Sequence, residues 1–204
     1  MHGLIARIAT LFCITAVLAG ILPGCERNSP VSYHGIDITG ATYAADFRLS
    51  DPDGRERTLA DFSGKAVLIF FGFTHCPDIC PTALARAAEV KRLLGTDGER
   101  FQALFVTIDP ERDTPEVLKA YTAAFDPGFI GLYGSASRTA QTARDFRAYY
   151  KKVPTGSSYT MDHSSLSYIY DPQGRLRLAL GHEKTAQEFA EDIRKILDPR
   201  FPMN

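Results

Sequence analysis

The stretch Lys65-Ala-Val-Leu-Ile-Phe-Phe-Gly-Phe-Thr-His-Cys-Pro-Asp-Ile-Cys-Pro81 runs from a nearly unbroken apolar segment straight into a pair of cysteines. A short apolar run rich in Val, Ile and Phe is the mark of a strand buried on both faces, in the middle of a sheet. Each cysteine precedes a proline, which disfavours the α region, so the strand is expected to exit into a turned loop. A helix should follow from Pro81 to Leu94, with Ala83, Ala87, Val90 and Leu94 along one face. Pro81 suits the first helical position, which would leave Cys80 beside the positive end of the helix.

Working outward, Phe101 to Ile108 reads as a second buried strand. Thr114-Pro115 reads as the start of a helix striped by Val117, Leu118, Tyr121, Ala124 and Phe125. A short strand near Phe129 to Leu132 and a helix from Ser137 to Tyr150 come next. Leu166 to Tyr170, the turn Asp171-Pro-Gln-Gly174 and the alternating Leu176, Leu178 and Leu180 predict a hairpin. Thr185 and Glu188 form a capping box for a last helix that buries Phe189, Ile193, Ile196 and Leu197. Upstream, Phe47 to Leu59 folds over Asp51-Pro-Asp-Gly54 as an N-terminal hairpin. The order predicts an α/β fold, a mixed central sheet with helices on both faces, as in thioredoxin-like proteins.

The chain has 204 residues, 23 basic against 24 acidic, for a net charge of −1. That balance lacks the basic footprint of a nucleic-acid binder. At the N-terminus, Ile8 to Leu22 is apolar and uncharged over 15 residues, short of the roughly 20 that span a bilayer. It ends Leu22-Pro23-Gly24-Cys25, which resembles a bacterial lipobox. Residues 1–24 are therefore expected to be a lipoprotein-type signal peptide, with Cys25 the lipidated first residue of the mature chain. Residues 25–42 are expected to be a tether and 43–204 the domain. An uncleaved anchor and plain secretion are the alternatives; all three place residues 26 onward outside the cytoplasm, and the domain is expected on the periplasmic side of a bacterial membrane.

Two cysteines remain in the domain, and whatever redox or soft-metal chemistry it performs must pass through Cys76 and Cys80. A structural disulfide closing so short a loop would constrain little of the unfolded chain. A dithiol oxidoreductase and a soft-metal site remain. Thioredoxin-type reductases have two residues between their cysteines and a cis-proline facing them. Here there are three, and Met161-Asp162-His163 fills the proline's place. His163 approaches a strand opposite the cysteine loop, so Cys76, Cys80 and His163 would make a two-sulfur, one-nitrogen set. Such a set suits copper, with zinc the rival. Asp162 and His75 are candidates for supporting it with hydrogen bonds. His34, in the tether, and His182 are expected to be bystanders.

Three motifs in order, Phe70 to Pro81, Thr107-Ile-Asp-Pro-Glu-Arg-Asp-Thr-Pro-Glu116 and Met161 to His163, resemble the Sco/SenC family over about residues 43 to 198. The resemblance implies a thioredoxin-like fold, a membrane-tethered extracytoplasmic location and one copper ion held by Cys76, Cys80 and His163. It also implies a disulfide between Cys76 and Cys80 when oxidised. The implied role is delivering copper to the dinuclear copper site of cytochrome c oxidase, or keeping that site's cysteines reduced. Asp109 belongs to the second motif, where it either supports the site or caps a turn. A thiol–disulfide reductase or a redox or copper sensor is the alternative function, and another periplasmic copper protein the alternative partner.

Overall fold

A computed structural model of the chain describes residues 31–198. The signal peptide and the lipidation of Cys25 lie outside the described residues. The strands are β1 (Ile36–Asp37), β2 (Leu49–Ser50), β3 (Glu56–Arg57), β4 (Ala66–Gly72), β5 (Phe101–Thr107), β6 (Ile130–Leu132), β7 (Tyr150–Thr155), β8 (Ser158–His163), β9 (Ser167–Tyr170) and β10 (Leu176–Leu180). The α-helices are α1 (Ile79–Leu94), α2 (Pro115–Ala123), α3 (Ala136–Asp145) and α4 (Ala186–Leu197).

The main sheet has the order β1-β10-β9-β4-β5-β6. β4, β5 and β6 run parallel, joined through α1 and α2, while β9, β10 and β1 add antiparallel partners. All seven residues of β4 and all seven of β5 are buried, which is why both read as continuous apolar runs. Phe70 and Phe105 pair in register on one face, where Tyr121 of α2 packs against Phe105. Phe71 turns to the other face and meets Phe146, which follows α3, and Tyr168 of β9. Helices therefore cover both faces, as the pattern predicts, and α1 packs against α4. Burying one such phenylalanine contributes about 2–3 kcal/mol, so β4, with Phe70 and Phe71, is firmly anchored in the core.

The two Asp-Pro-x-Gly turns are built alike. Asp51 accepts from the backbone N–H groups of Asp53 and Arg55, and Asp171 from those of Gln173 and Arg175. Gly54 and Gly174 take the left-handed backbone at φ 79° and 73° that a side chain would strain. Thr114 accepts from the Val117 N–H, and Thr185 and Glu188 close their capping box.

Four details depart from the sequence reading. The tether does not reach residue 42, because chain from Ser32 onward belongs to the same compact unit as the rest of the domain. Ile36 and Asp37 pair with β10, and Asp192, buried in α4, accepts from the backbone N–H groups of His34 and Gly35. The His34 ring is bonded to Glu191. Second, α1 begins at Ile79, which places Cys80 in its first turn and Pro81 one position further in; N–H groups of a first turn have no helical acceptor, so proline is tolerated there. Third, α3 ends at Asp145, where Phe146 turns into the core and Arg147 adopts φ 53°. Fourth, the residues after it form an unforeseen hairpin, β7 with β8, as a separate two-stranded sheet that pairs Tyr150 with His163. With Lys151, Lys152 and Pro154 exposed, it lacks the apolar alternation that announces a strand.

Candidate metal centre

Cys76, Cys80 and His163 come from three pieces of backbone. The loop after β4 supplies Cys76, the first turn of α1 supplies Cys80, and the last residue of β8 supplies His163. The two sulfurs and an imidazole nitrogen all lie within 4.8 Å of one another, and no other such group forms among the described residues. Both cysteines are free thiols, Cys80 wholly buried and Cys76 half-buried.

Close approach is built into β4. A Cβ on Gly72 would stand 2.8 Å from both Cys80 Sγ and the Phe105 ring, so only glycine lets the sulfur settle against the sheet. The Cys80 backbone N–H donates to Cys76 Sγ at 3.4 Å. His163 is clasped edge-on between Phe70 and Phe73, with ring centroids 6.0 and 5.9 Å away. Its Nδ1 lies 2.9 Å from the Ser164 carbonyl, which only accepts, so Nδ1 carries the proton. The lone pair is left on Nε2, 3.6 Å from Cys80 Sγ. A neutral imidazole with its far nitrogen tied to a carbonyl is prepared as a metal ligand.

The two sulfurs are electrostatically unequal. The hydrogen bond from the Cys80 thiol, aided by the N–H groups of Cys80 and Asp78, pulls the Cys76 pKa down to about 4 against the cost of burial. The same bond, which keeps the proton on Cys80, pushes the Cys80 thiol far up, and burial adds to it. Cys76 is thus the thiolate and Cys80 the reserve proton donor.

Around this cluster, the other expected residues part company. Asp162 is exposed, opposite Lys151 on the hairpin. Asp109 is buried and works at a distance from the sulfurs: it accepts from Tyr159 Oη at 2.8 Å and from Arg112 Nε. Arg112 also donates to the Tyr159 carbonyl at 2.9 Å and stacks on its ring, 3.7 Å from the centroid. This clamp fastens the β7–β8 hairpin to the segment after β5. His75 stays outside the three-residue group, at 56% side-chain exposure. His182 is exposed, bonded to Ser165.

Asp113 was missed by the reading of the second motif. Fully buried, it accepts from Thr107 Oγ1 at 2.6 Å, Thr74 Oγ1 at 2.6 Å and the Thr74 N–H at 3.1 Å. It ties the cysteine loop to the end of β5. Its only signal in the sequence was its place four residues after Asp109, before a helix cap.

Residues 37–198 match the model of the SCO1/SenC family. The chain is 40% identical over 154 residues to the bovine mitochondrial SCO2 homolog, covering 74% of this chain and 58% of that protein, so it spans little more than half the length of that relative. Among solved structures it resembles Bradyrhizobium japonicum ScoI with copper bound, at 43% identity and TM-score 0.68, over 74% of this chain and 97% of the other. It also resembles apo Sco1 of Thermus thermophilus, at 34% identity and TM-score 0.70, over 81% and 96%. A thioredoxin-like mixed sheet, two cysteines and a histidine gathered beyond the end of its interior strand β4, and a family match across most of the described residues agree with one another, and the chain belongs to the SCO1/SenC family of copper-binding and redox proteins.

Proposed function

We propose that this protein is an extracytoplasmic copper carrier in which Cys76, Cys80 and His163 hold one copper ion. Held to the membrane by a lipid on Cys25 or by an anchor, it passes the ion to the dinuclear copper site of cytochrome c oxidase or to another periplasmic copper protein. The observation that carries this reading is the convergence of two sulfurs and an oriented imidazole within 4.8 Å. Two soft sulfurs and one nitrogen favour copper over the oxygen-seeking cations. The cargo stays exchangeable because Cys76 is half exposed.

Anaerobic Cu(I) and Cu(II) titrations of the full chain in detergent micelles test it, with His163→Ala alongside. One tight equivalent is expected for the wild type and none for the variant, while the reaction of the two thiols with a disulfide reagent is retained. Unchanged copper affinity in the variant would remove His163 from the site.

The unequal sulfurs favour a second reading, a thiol–disulfide reductase. The Cys76 thiolate would attack a partner disulfide and release one partner thiolate. Cys80 would then give up its proton and displace the second, leaving Cys76 and Cys80 bridged and the partner reduced. That chemistry needs no histidine, so His163→Ala separates the two readings.

A further inference from the structure

A second imidazole, exposed, precedes Cys76 in the cysteine loop. His75 Nδ1 lies 3.2 Å from Thr74 Oγ1 and 3.9 Å from Asp113 Oδ1. Thr74 has a single hydroxyl proton, and its oxygen sits 2.6 Å from Asp113 Oδ1, a carboxylate that only accepts. The hydroxyl proton is therefore committed to Asp113, and the Thr74 oxygen can only accept from His75. That places the ring proton on Nδ1 and leaves the lone pair on Nε2, in the same tautomer as His163. Asp113 cannot swing away, because Thr107 Oγ1 and the Thr74 N–H hold it in the core. Metal-binding histidines commonly give their other ring N–H to a fixed oxygen acceptor, and here Thr74, itself held by buried Asp113, supplies that acceptor. Here the prepared ring is exposed, next in sequence to the more accessible sulfur, and outside the inner group of three.

We propose that His75 Nε2 and Cys76 Sγ form an outer receiving site for Cu(I), from which the ion passes inward to Cys80 and His163. The proposal rests on the copper-carrier reading and gives it a route. Cys80 is wholly buried, so an incoming donor cannot reach its sulfur, whereas Cys76 and His75 are open to approach. Soft Cu(I) accepts a sulfur and a nitrogen as a sufficient pair. The copper stays Cu(I) throughout. The bond from the donor's ligand to copper breaks as the Cys76–copper bond forms and His75 takes the second position. The His75–copper bond then breaks as Cys80 and His163 bind, the Cys80 thiol proton leaves to water, and His75 Nε2 is bare again.

Cu(I) supplied anaerobically as its bicinchoninate complex to the full chain in detergent micelles tests the route, comparing wild type with His75→Ala and Thr74→Val. Loading of His75→Ala is expected to be about tenfold slower, with Thr74→Val between it and wild type. The final stoichiometry should be unchanged and the affinity within about twofold. An unchanged loading rate in His75→Ala would overturn the receiving site, and a loss of affinity in step with the rate would make His75 a resident ligand instead. A wild type that takes up no copper would fell the carrier reading, and this route with it. A readout without metal accompanies these: long-range proton–nitrogen spectra should show the Nδ1–H form at His75 in wild type, lost in Thr74→Val while His163 keeps its own. A predominant Nε2–H form of His75 in wild type would overturn the argument at its root.

Discussion

The cysteines and the histidine of the candidate site are held by regions of opposite character. β4, which ends at the cysteine loop, is buried along its whole length between two hydrogen-bonded neighbours. β8, which ends at His163, belongs to a ribbon of two strands with most of its residues exposed or half-exposed. The sulfur half takes its position from the core, where packing leaves little freedom. The nitrogen half depends on a few specific contacts: the clamp of Asp109, Arg112 and Tyr159, and the two phenylalanines around the ring. A candidate site divided in this way can loosen its histidine without unfolding the cysteine loop, as the proposed carrier role requires.

The most damaging way to break that contrast is to strike the region both halves share. Phe70 is 1% exposed at the centre of β4 and also touches the His163 ring. Phe70→Ala should cost about 3–5 kcal/mol of stability, read from the midpoint of urea unfolding. A loss below about 1 kcal/mol would mean that β4 is not the anchor its burial implies.

A smaller effect should isolate the hairpin. In Tyr159→Ala the sheet keeps every strand and buried Asp109 keeps its Arg112 partner, so the unfolding midpoint should move little, but the hairpin loses the ring on which Arg112 stacks and its hydroxyl bond to Asp109. Copper affinity is expected to fall about tenfold, close to 1.4 kcal/mol, while alkylation of Cys76 proceeds at the wild-type rate. Equal losses in affinity and stability would show that the hairpin and the sheet are one unit.

The smallest effect concerns pH and belongs to the sulfur half alone. Cys76, held at about 4 in the folded dithiol against an ordinary 9.0, stays a thiolate that the unfolded chain would protonate. Its contribution to stability is therefore complete above pH 9.0 and fades as pH falls towards 4. Cys80, raised in the fold, acts in the opposite sense only above its ordinary value, so the window below pH 9.0 reports Cys76. The stability difference between the reduced wild type and Cys76→Ser should rise with pH across that window. A flat difference would mean that the thiolate is not held by the fold.

How much of this was legible in the sequence follows the same division. β4 and β5 announced themselves because strands buried on both faces must be apolar throughout, and the cysteine pair stood out at the end of one of them. The capping box at Thr185 and the Asp-Pro-x-Gly turns were readable because their chemistry is local. His163 was reached only by placing it on an assumed fold. The hairpin that carries it was hidden, since a ribbon with a lysine pair and a proline on its surface has no periodic signature. Asp113 was hidden too, because a carboxylate that binds donors from the cysteine loop and from the end of β5 resembles any surface aspartate until those segments are brought together.

The sequence by itself determined the sheet's central strands, the thiol pair and the family to which its motifs belong, since each rests on residues close together in the chain. Tertiary structure alone decided which sulfur is the thiolate, where the histidine's lone pair points and what Asp109 and Asp113 hold. Those properties depend on burial and on hydrogen bonds between segments far apart in sequence, such as Cys80 to His163 and Thr74 to Asp113. A pKa or a tautomer is set by the surrounding groups, and only folding brings those groups into place.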